Sequence, residues 1–283
     1  MDLSLALILL AASQGIVRSD IAYVDGGGHG QQLDLTIPAT KSFPTIVFVH
    51  GGSLVEGDRR ETPYNAVCAP FAQSGIGCAM ISYRLFPEVR WPSPADDTAA
   101  AFAWIRKNIH ASGGDPNRVY LGGHSSGCLL ASLVGTDEKY LAKHDLTIGD
   151  IAGVIAIGCR VNDVIDARGR TKEEIARHFA RDPYDAGFGS LDALNDAVPA
   201  RHIGDAMPPF LIMMAESERF QPPILEDAEV FRLFAQKRGR SVRIRAVAKR
   251  KHMTLIEKMA MGGDDPAFQE IVDFIQSSES IRK

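Results

Sequence analysis

Arg118-Val119-Tyr120-Leu121-Gly122-Gly123-His124-Ser125-Ser126-Gly127-Cys128-Leu129-Leu130 is the stretch that decides the fold. Arg118 to Gly122 is strand-like, Cys128 to Leu133 is helix-compatible, and G-x-S-x-G joins them, the pattern of a nucleophile elbow. A strand that turns sharply into a helix lifts the serine oxygen clear of the sheet. The same turn aims the helix N-terminus and the next backbone N–H at a reacting carbonyl oxygen. Glycines flank the serine because bulkier residues would collide there.

Working outward, apolar runs and amphipathic runs alternate. Leu33 to Ile37 alternates like a half-buried edge strand, whereas Thr45 to Val49 is nearly all apolar, as expected for a strand covered on both faces. Cys78 to Tyr83, Gly153 to Ile157 and Phe210 to Met214 read as further strands, and Val242 to Val247 as an outer one. Pro94 to His110 is predicted helical, with Gly113-Gly114 as its stop; Ile224 to Arg238 and Phe268 to Ile275 follow as helices. Strand and helix in alternation predict an α/β fold with a mostly parallel sheet flanked by helices.

Arg160 to Asp205 differs in character: it is polar and glycine-punctuated, with Lys172 to Arg181 as a short amphipathic helix. It is expected to be a cap inserted over the C-terminal edge of the sheet, where ligands bind in such folds. Its apolar residues Phe179, Phe188 and Leu191, with Tyr184, are candidates to line a substrate pocket.

The 283 residues are 45% hydrophobic and 23% charged, enough to bury a large core. A net charge of −4 gives no electrostatic footprint for nucleic acid. The basic run Lys249 to Lys251 reads as a solvated strand end. Residues 1–20 form an apolar N-terminal segment, with residues 21–283 as one domain carrying the cap at about 160–205. Leu3 to Ala12 is too short to span a bilayer. The small residues Ala11-Ala12-Ser13 resemble a signal cleavage site, but Asp2 stands where a signal carries Lys or Arg, so cytoplasmic and exported (periplasmic or secreted) locations both stay open. Cys68, Cys78, Cys128 and Cys159 have no CxxC or paired metal spacing, and each lies in or beside an apolar run. Buried free thiols are expected, with a Cys68–Cys78 bridge as the alternative in an exported protein.

A serine hydroxyl is a poor nucleophile at neutral pH. It needs a base to take its proton and an acid to orient that base. His252 follows the Val242–Val247 run and is the only histidine after Met214, which makes it the candidate base. Glu216 and Glu218 follow the Phe210–Met214 run. They cannot both face one imidazole, and Glu218 is preferred as the acid. His50-Gly51-Gly52-Ser53 follows the Thr45–Val49 run, where a glycine-rich oxyanion loop belongs. Backbone N–H groups of Gly52, Ser53 and Ser126 are the expected oxyanion donors. His124 is read as an elbow filler pointing away from Ser125, and His50 as a brace for the loop. No GK[ST] follows, so a phosphate loop is not indicated. This chemistry calls for no metal and no cofactor.

Together His50-Gly51-Gly52, Ser82-Tyr83-Arg84-Leu85, Gly113-Gly114-Asp115-Pro116, Gly123-His124-Ser125-Ser126-Gly127 and His252-Met253-Thr254-Leu255 resemble the α/β-hydrolase superfamily, in particular its serine esterases, from about Leu33 to Ile275. The short cap and Pro208-Pro209 look more like the acetyl-esterase and kynurenine-formamidase branch than the large-lidded lipases. The resemblance implies a Ser125–Glu218–His252 triad and hydrolysis of a small ester or amide-like bond. Ser53 departs from the family by replacing the third loop glycine, Glu218 stands where relatives usually carry aspartate, and Ala215 replaces a glycine. Three functions stay open: a carboxylesterase for short acyl esters, an arylformamidase acting on N-formyl groups, and a non-catalytic hydrolase-fold binding protein. The expected partner is a small ester substrate, without stable membrane insertion. The oligomeric state is left open.

Overall fold

The computed structural model describes residues 15–162, 183–219 and 223–281. Its strands are β1 (Ile16–Ala22), β2 (Gln32–Ile37), β3 (Phe43–Val49), β4 (Gly77–Ile81), β5 (Gly114–His124), β6 (Val154–Ile157), β7 (Phe210–Ala215) and β8 (Val242–Val247). They form one sheet in the order β1-β2-β4-β3-β5-β6-β7-β8. β2 runs antiparallel to both its neighbours, and every pairing from β4 to β8 is parallel.

The composition of each strand explains its place. Every residue of β3, β4, β6 and β7 is buried, because helices cover both faces at the centre of a parallel sheet. β8 alternates exposed arginines with inward apolar residues and lies at an edge. In β3, Val47 and Val49 join Phe102, Ile105, Leu130 and Phe231 in one core. Ile46 and Phe48 point the other way and join Phe71, Leu255, Ile256 and Phe268 in a second. The period of two along a strand thus feeds both cores. Helices Ser93–Asn108, Ser126–Val134 and Ile224–Gln236 close the first, and Cys68–Gln73, His252–Met259 and Pro266–Ile281 the second. Each fully buried aromatic ring there is worth on the order of 2–3 kcal/mol. The α/β architecture with a mostly parallel sheet is the one expected.

Two expectations need correction. Leu33 to Ile37 is not at the edge, because β1 pairs outside it. β1 escapes sequence reading because it is mostly exposed and its register shifts between Arg18 and Ile21, with Asp20 at a φ of 57°. The cysteines are joined, Cys68 to Cys78 and Cys128 to Cys159, with Cα atoms 5.2 and 5.8 Å apart. Separations of 10 and 31 residues carry no motif. The fold makes the pairs, by setting the helix Cys68–Gln73 against β4 and the end of β6 against the helix Ser126–Val134. The apolar run Leu3 to Ala12 lies outside the described residues.

The loop after β3 is anchored from behind by Arg59, whose side chain is fully buried. Its guanidinium meets Asp20 at 2.6 Å and Asp34 at 3.2 Å, and donates to Ser82 at 3.0 Å. Burial opposes ionisation of Asp58, but hydrogen bonds from Ser82 and the Arg60 backbone, with the His29 and Arg59 charges, outweigh it and hold its pKa below the ordinary carboxylate value. A buried cation is tolerated only with such company. The cluster ties β1, β2 and the post-β3 loop into one block.

Candidate active site

The chain segments leaving the C-terminal ends of β3, β5, β6, β7 and β8 meet at one end of the sheet. β5 delivers Ser125 in a sparsely populated backbone conformation, φ 57° and ψ −124°, held by its N–H donating to the Ile157 carbonyl at 2.9 Å. Strain of this kind costs on the order of 1–3 kcal/mol and persists only where the surroundings enforce it. Here the two glycines do so. A Cβ on Gly123 would lie 2.3 Å from the Gly127 oxygen, and one on Gly127 would lie 2.2 Å from the Val49 oxygen. The first turn of the helix therefore presses directly onto the end of β3.

The loop leaving β3 has three successive residues at positive φ: Gly52 (123°), Ser53 (52°) and Leu54 (61°). Gly52 is obligatory, since a Cβ there would fall 2.0 Å from the Glu56 oxygen. Leu54 is fully buried and pins the loop. His50 stacks on Tyr83, ring centroids 4.4 Å apart, and its Nδ1–H donates to the Gly51 carbonyl at 2.6 Å. The expected bracing of this loop by His50 takes that form. Burial pushes the His50 pKa down to about 4, despite that hydrogen bond and the Asp58 charge.

His252 opens the helix His252–Met259 and packs on His124, ring centroids 4.5 Å apart. Its Nδ1 lies 2.5 Å from Glu218 Oε1. Glu218 is 5% exposed, and its other oxygen accepts from the Ala215 N–H at 2.8 Å. Glu216, two residues earlier on the same turn, faces outward and accepts from the Lys249 N–H at 2.8 Å, steadying the loop that carries His252. The turn Glu216–Glu218 thus sends its two carboxylates to different tasks.

A cavity of about 220 Å³ opens at Ser125, lined also by Ser53, Ser126, Leu129, Gly158, Cys159 and Arg160. Gly52 sits one residue behind this wall. The Ser126 hydroxyl lies 3.4 Å from the Tyr83 hydroxyl. The Cys128–Cys159 disulfide fastens the Cys159 wall to the helix that begins after Ser125. A histidine oriented by a buried carboxylate, at the same end of the sheet as Ser125, is the kind of group that can activate a hydroxyl as a nucleophile.

The cap residues fall elsewhere. Phe188 is buried against Phe86 and Trp91, with centroids 5.7 and 4.8 Å away, and the Trp91 N–H donates to the Gly187 carbonyl at 3.0 Å. Leu191 is 36% exposed. Phe179 and the expected helix Lys172 to Arg181 lie outside the described residues. Neither Phe188 nor Leu191 is among the described residues that line the Ser125 cavity. Tyr64, behind Gly51, escaped sequence reading, and Tyr83 entered it only within the Ser82-Tyr83-Arg84-Leu85 resemblance, with no role of its own. Their contacts span 33 to 60 residues of chain, so no local pattern gives their roles.

Among the described residues, Asp137, Asp196 and His202 have the spacing of metal ligands. The Lys139 ammonium lies 2.7 Å from each carboxylate and supplies the positive charge there. Among the described residues no helix is long and apolar enough to cross a membrane.

Residues 33–224 match the BD-FAE family model. Esterase LipC of Mycobacterium tuberculosis is 30% identical over 181 residues, 62% of this chain and 44% of LipC. The isoprenylcysteine alpha-carbonyl methylesterase ICME of Arabidopsis thaliana is 25% identical over 276 residues, 93% of this chain and 63% of ICME. The chain thus spans less than two thirds of the length of either relative. An esterase from Pyrobaculum calidifontis superposes with a TM-score of 0.70 at 20% identity, covering 100% of this chain and 94% of that one. The superposition establishes the α/β-hydrolase fold.

Proposed function

Since the chain belongs to the BD-FAE family, we propose that it is a serine hydrolase that cleaves small carboxylic esters through an acyl-enzyme on Ser125. The observation that carries this reading is the 2.5 Å contact between His252 and the buried Glu218, with the His252 ring packed at 4.5 Å against the residue that precedes Ser125. Glu218 accepts a hydrogen bond from the Nδ1–H of the imidazole and so keeps the proton on Nδ1 and Nε2 bare as the base. His252 removes the Ser125 proton as Oγ attacks the ester carbonyl. The carbonyl oxygen becomes an oxyanion, met by backbone N–H groups of Gly52, Ser53 and Ser126, each worth about 3 kcal/mol in the transition state. His252 then protonates the departing alkoxide. Water repeats the sequence on the acyl-enzyme, releasing the acid and restoring Ser125.

The small size of the cavity supports a short acyl group. Hydrolysis of an N-formyl group by the same residues is the second reading, because formyl is the smallest acyl such a pocket admits. Phe188 acts on acyl preference through the cap it pins to Phe86 and Trp91, with Phe179 and Leu191 as the cap's further contributors. Both described cysteine pairs being joined, the proposal includes an oxidising, exported setting.

The test is turnover on p-nitrophenyl esters of increasing chain length beside N-formylkynurenine. Ser125→Ala should reduce turnover at least a thousandfold while circular dichroism stays unchanged. Labelling by an organophosphate at Ser126 instead of Ser125 would overturn the assignment.

A further inference from the structure

His124 is fully buried between two partners. On one side its Nδ1 lies 3.0 Å from the Tyr64 hydroxyl. On the other its Nε2 lies 3.2 Å from the backbone carbonyl oxygen of His252. That carbonyl only accepts, so the contact needs a hydrogen on Nε2. Burial, with the neighbouring His252, pushes the His124 pKa down to about 3, against the pull of that same hydrogen bond. At neutral pH the ring therefore carries a single proton. With Nε2 protonated, Nδ1 is bare and accepts from Tyr64 O–H. The chain of donors runs in one direction, from Tyr64 through His124 to His252.

The packing leaves little room for another arrangement. Gly158, at φ +66°, lies against both rings: a Cβ there would stand 3.2 Å from His252 Cε1 and 3.5 Å from His124 Nε2. A Cβ on Gly51 would stand 2.4 Å from the Tyr64 oxygen and 2.9 Å from Ser125 Cβ. The Tyr64 hydroxyl thus sits between the oxyanion loop and the elbow.

We infer that Tyr64 and His124 are positioning residues: Tyr64 selects the Nε2–H tautomer of His124, and that N–H fixes the main chain of His252, and with it the imidazole, relative to Ser125. His124 precedes Ser125 directly, so the hydrogen bond links nucleophile and base through a short, stiff path. In the opposite tautomer Nε2 would point a lone pair at the His252 carbonyl and push the base away. The elbow's second residue is therefore part of the alignment of the triad, and not a filler.

This rests on the Ser125–His252 reading of the site, and its test has an arm that does not. ¹⁵N NMR of histidine-labelled protein near pH 7 reports the tautomer of His124 without any turnover. Nε2–H is expected, and a population of Nδ1–H is expected in Tyr64→Phe. In ester hydrolysis Tyr64→Phe should lower kcat roughly five- to tenfold with KM within about twofold, the scale of one lost hydrogen bond. His124→Leu should lower kcat further, and His124→Gln, which keeps a donor of similar length, should recover part of the loss. An Nδ1–H tautomer in the unaltered protein overturns the inference. So does a kcat within twofold of the unaltered protein in Tyr64→Phe. Activity surviving in Ser125→Ala would instead strike at the proposed function itself, leaving the tautomer result to stand or fall alone.

Discussion

Lowering the pH from 7 to 5 should cost this protein on the order of 4 kcal/mol of folding stability, through His50 and His124 alone. In the native state burial pushes their pKa values down to about 4 and about 3, so both are neutral at pH 5. In the unfolded chain each titrates near the ordinary value of about 6.5 and is protonated at that pH. The unfolded state then binds two more protons than the native state, and stability falls as the pH falls. Each proton contributes about 1.4 kcal/mol per pH unit, or roughly 2.7 for the pair between about pH 6 and 4.5. Against a typical stability of about 5–15 kcal/mol this is a large fraction. Burial also lowers the pKa of His144 and adds in the same direction. Asp34 and Asp58, held below the ordinary carboxylate value, lose their contribution only at lower pH, near and below about 4. Urea unfolding at a series of pH values, with the disulfides intact, measures the slope directly. His124→Gln removes one of the two protons, so its slope should be smaller by about 1.4 kcal/mol per pH unit. Equal slopes for the two proteins would refute the claim that His124 is held neutral by burial.

Glu218→Gln should lower kcat by a factor of about 10³–10⁴, because the imidazole loses the carboxylate that sets its tautomer. Glu216→Gln loses only a bond to the Lys249 N–H and should stay within a few fold; steady-state kinetics showing the reverse ranking would reassign the acid. The Cys128→Ser/Cys159→Ser double variant should melt about 6 °C lower. That follows from roughly 3–4 kcal/mol of loop-closure entropy for cross-linked residues 31 positions apart. Calorimetry giving an unchanged melting temperature would show that the bridge adds no such constraint.

The sequence by itself determined what depends on local geometry. G-x-S-x-G is legible because only glycine tolerates the close approach at positions 123 and 127. β3 and β7 are legible because a strand covered on both faces must be apolar throughout. The glycines after β3 and the late histidine could be placed by their order along such a chain. Tertiary structure decided the rest, since it depends on which distant segments the sheet brings side by side. β1 is a strand only because β2 offers it a partner, and its own residues are mostly exposed. Cys128 meets Cys159 only because β6 pairs beside β5. Two glutamates in one turn look alike in sequence; the fold turns Glu218 inward to cap the Ala215 N–H and meet His252, and leaves Glu216 on Lys249. The Tyr64–His124–His252 chain joins residues 60 and 128 positions apart. Hydrogen-bond direction and burial, which set the protonation of His124, exist only after the sheet has assembled around it.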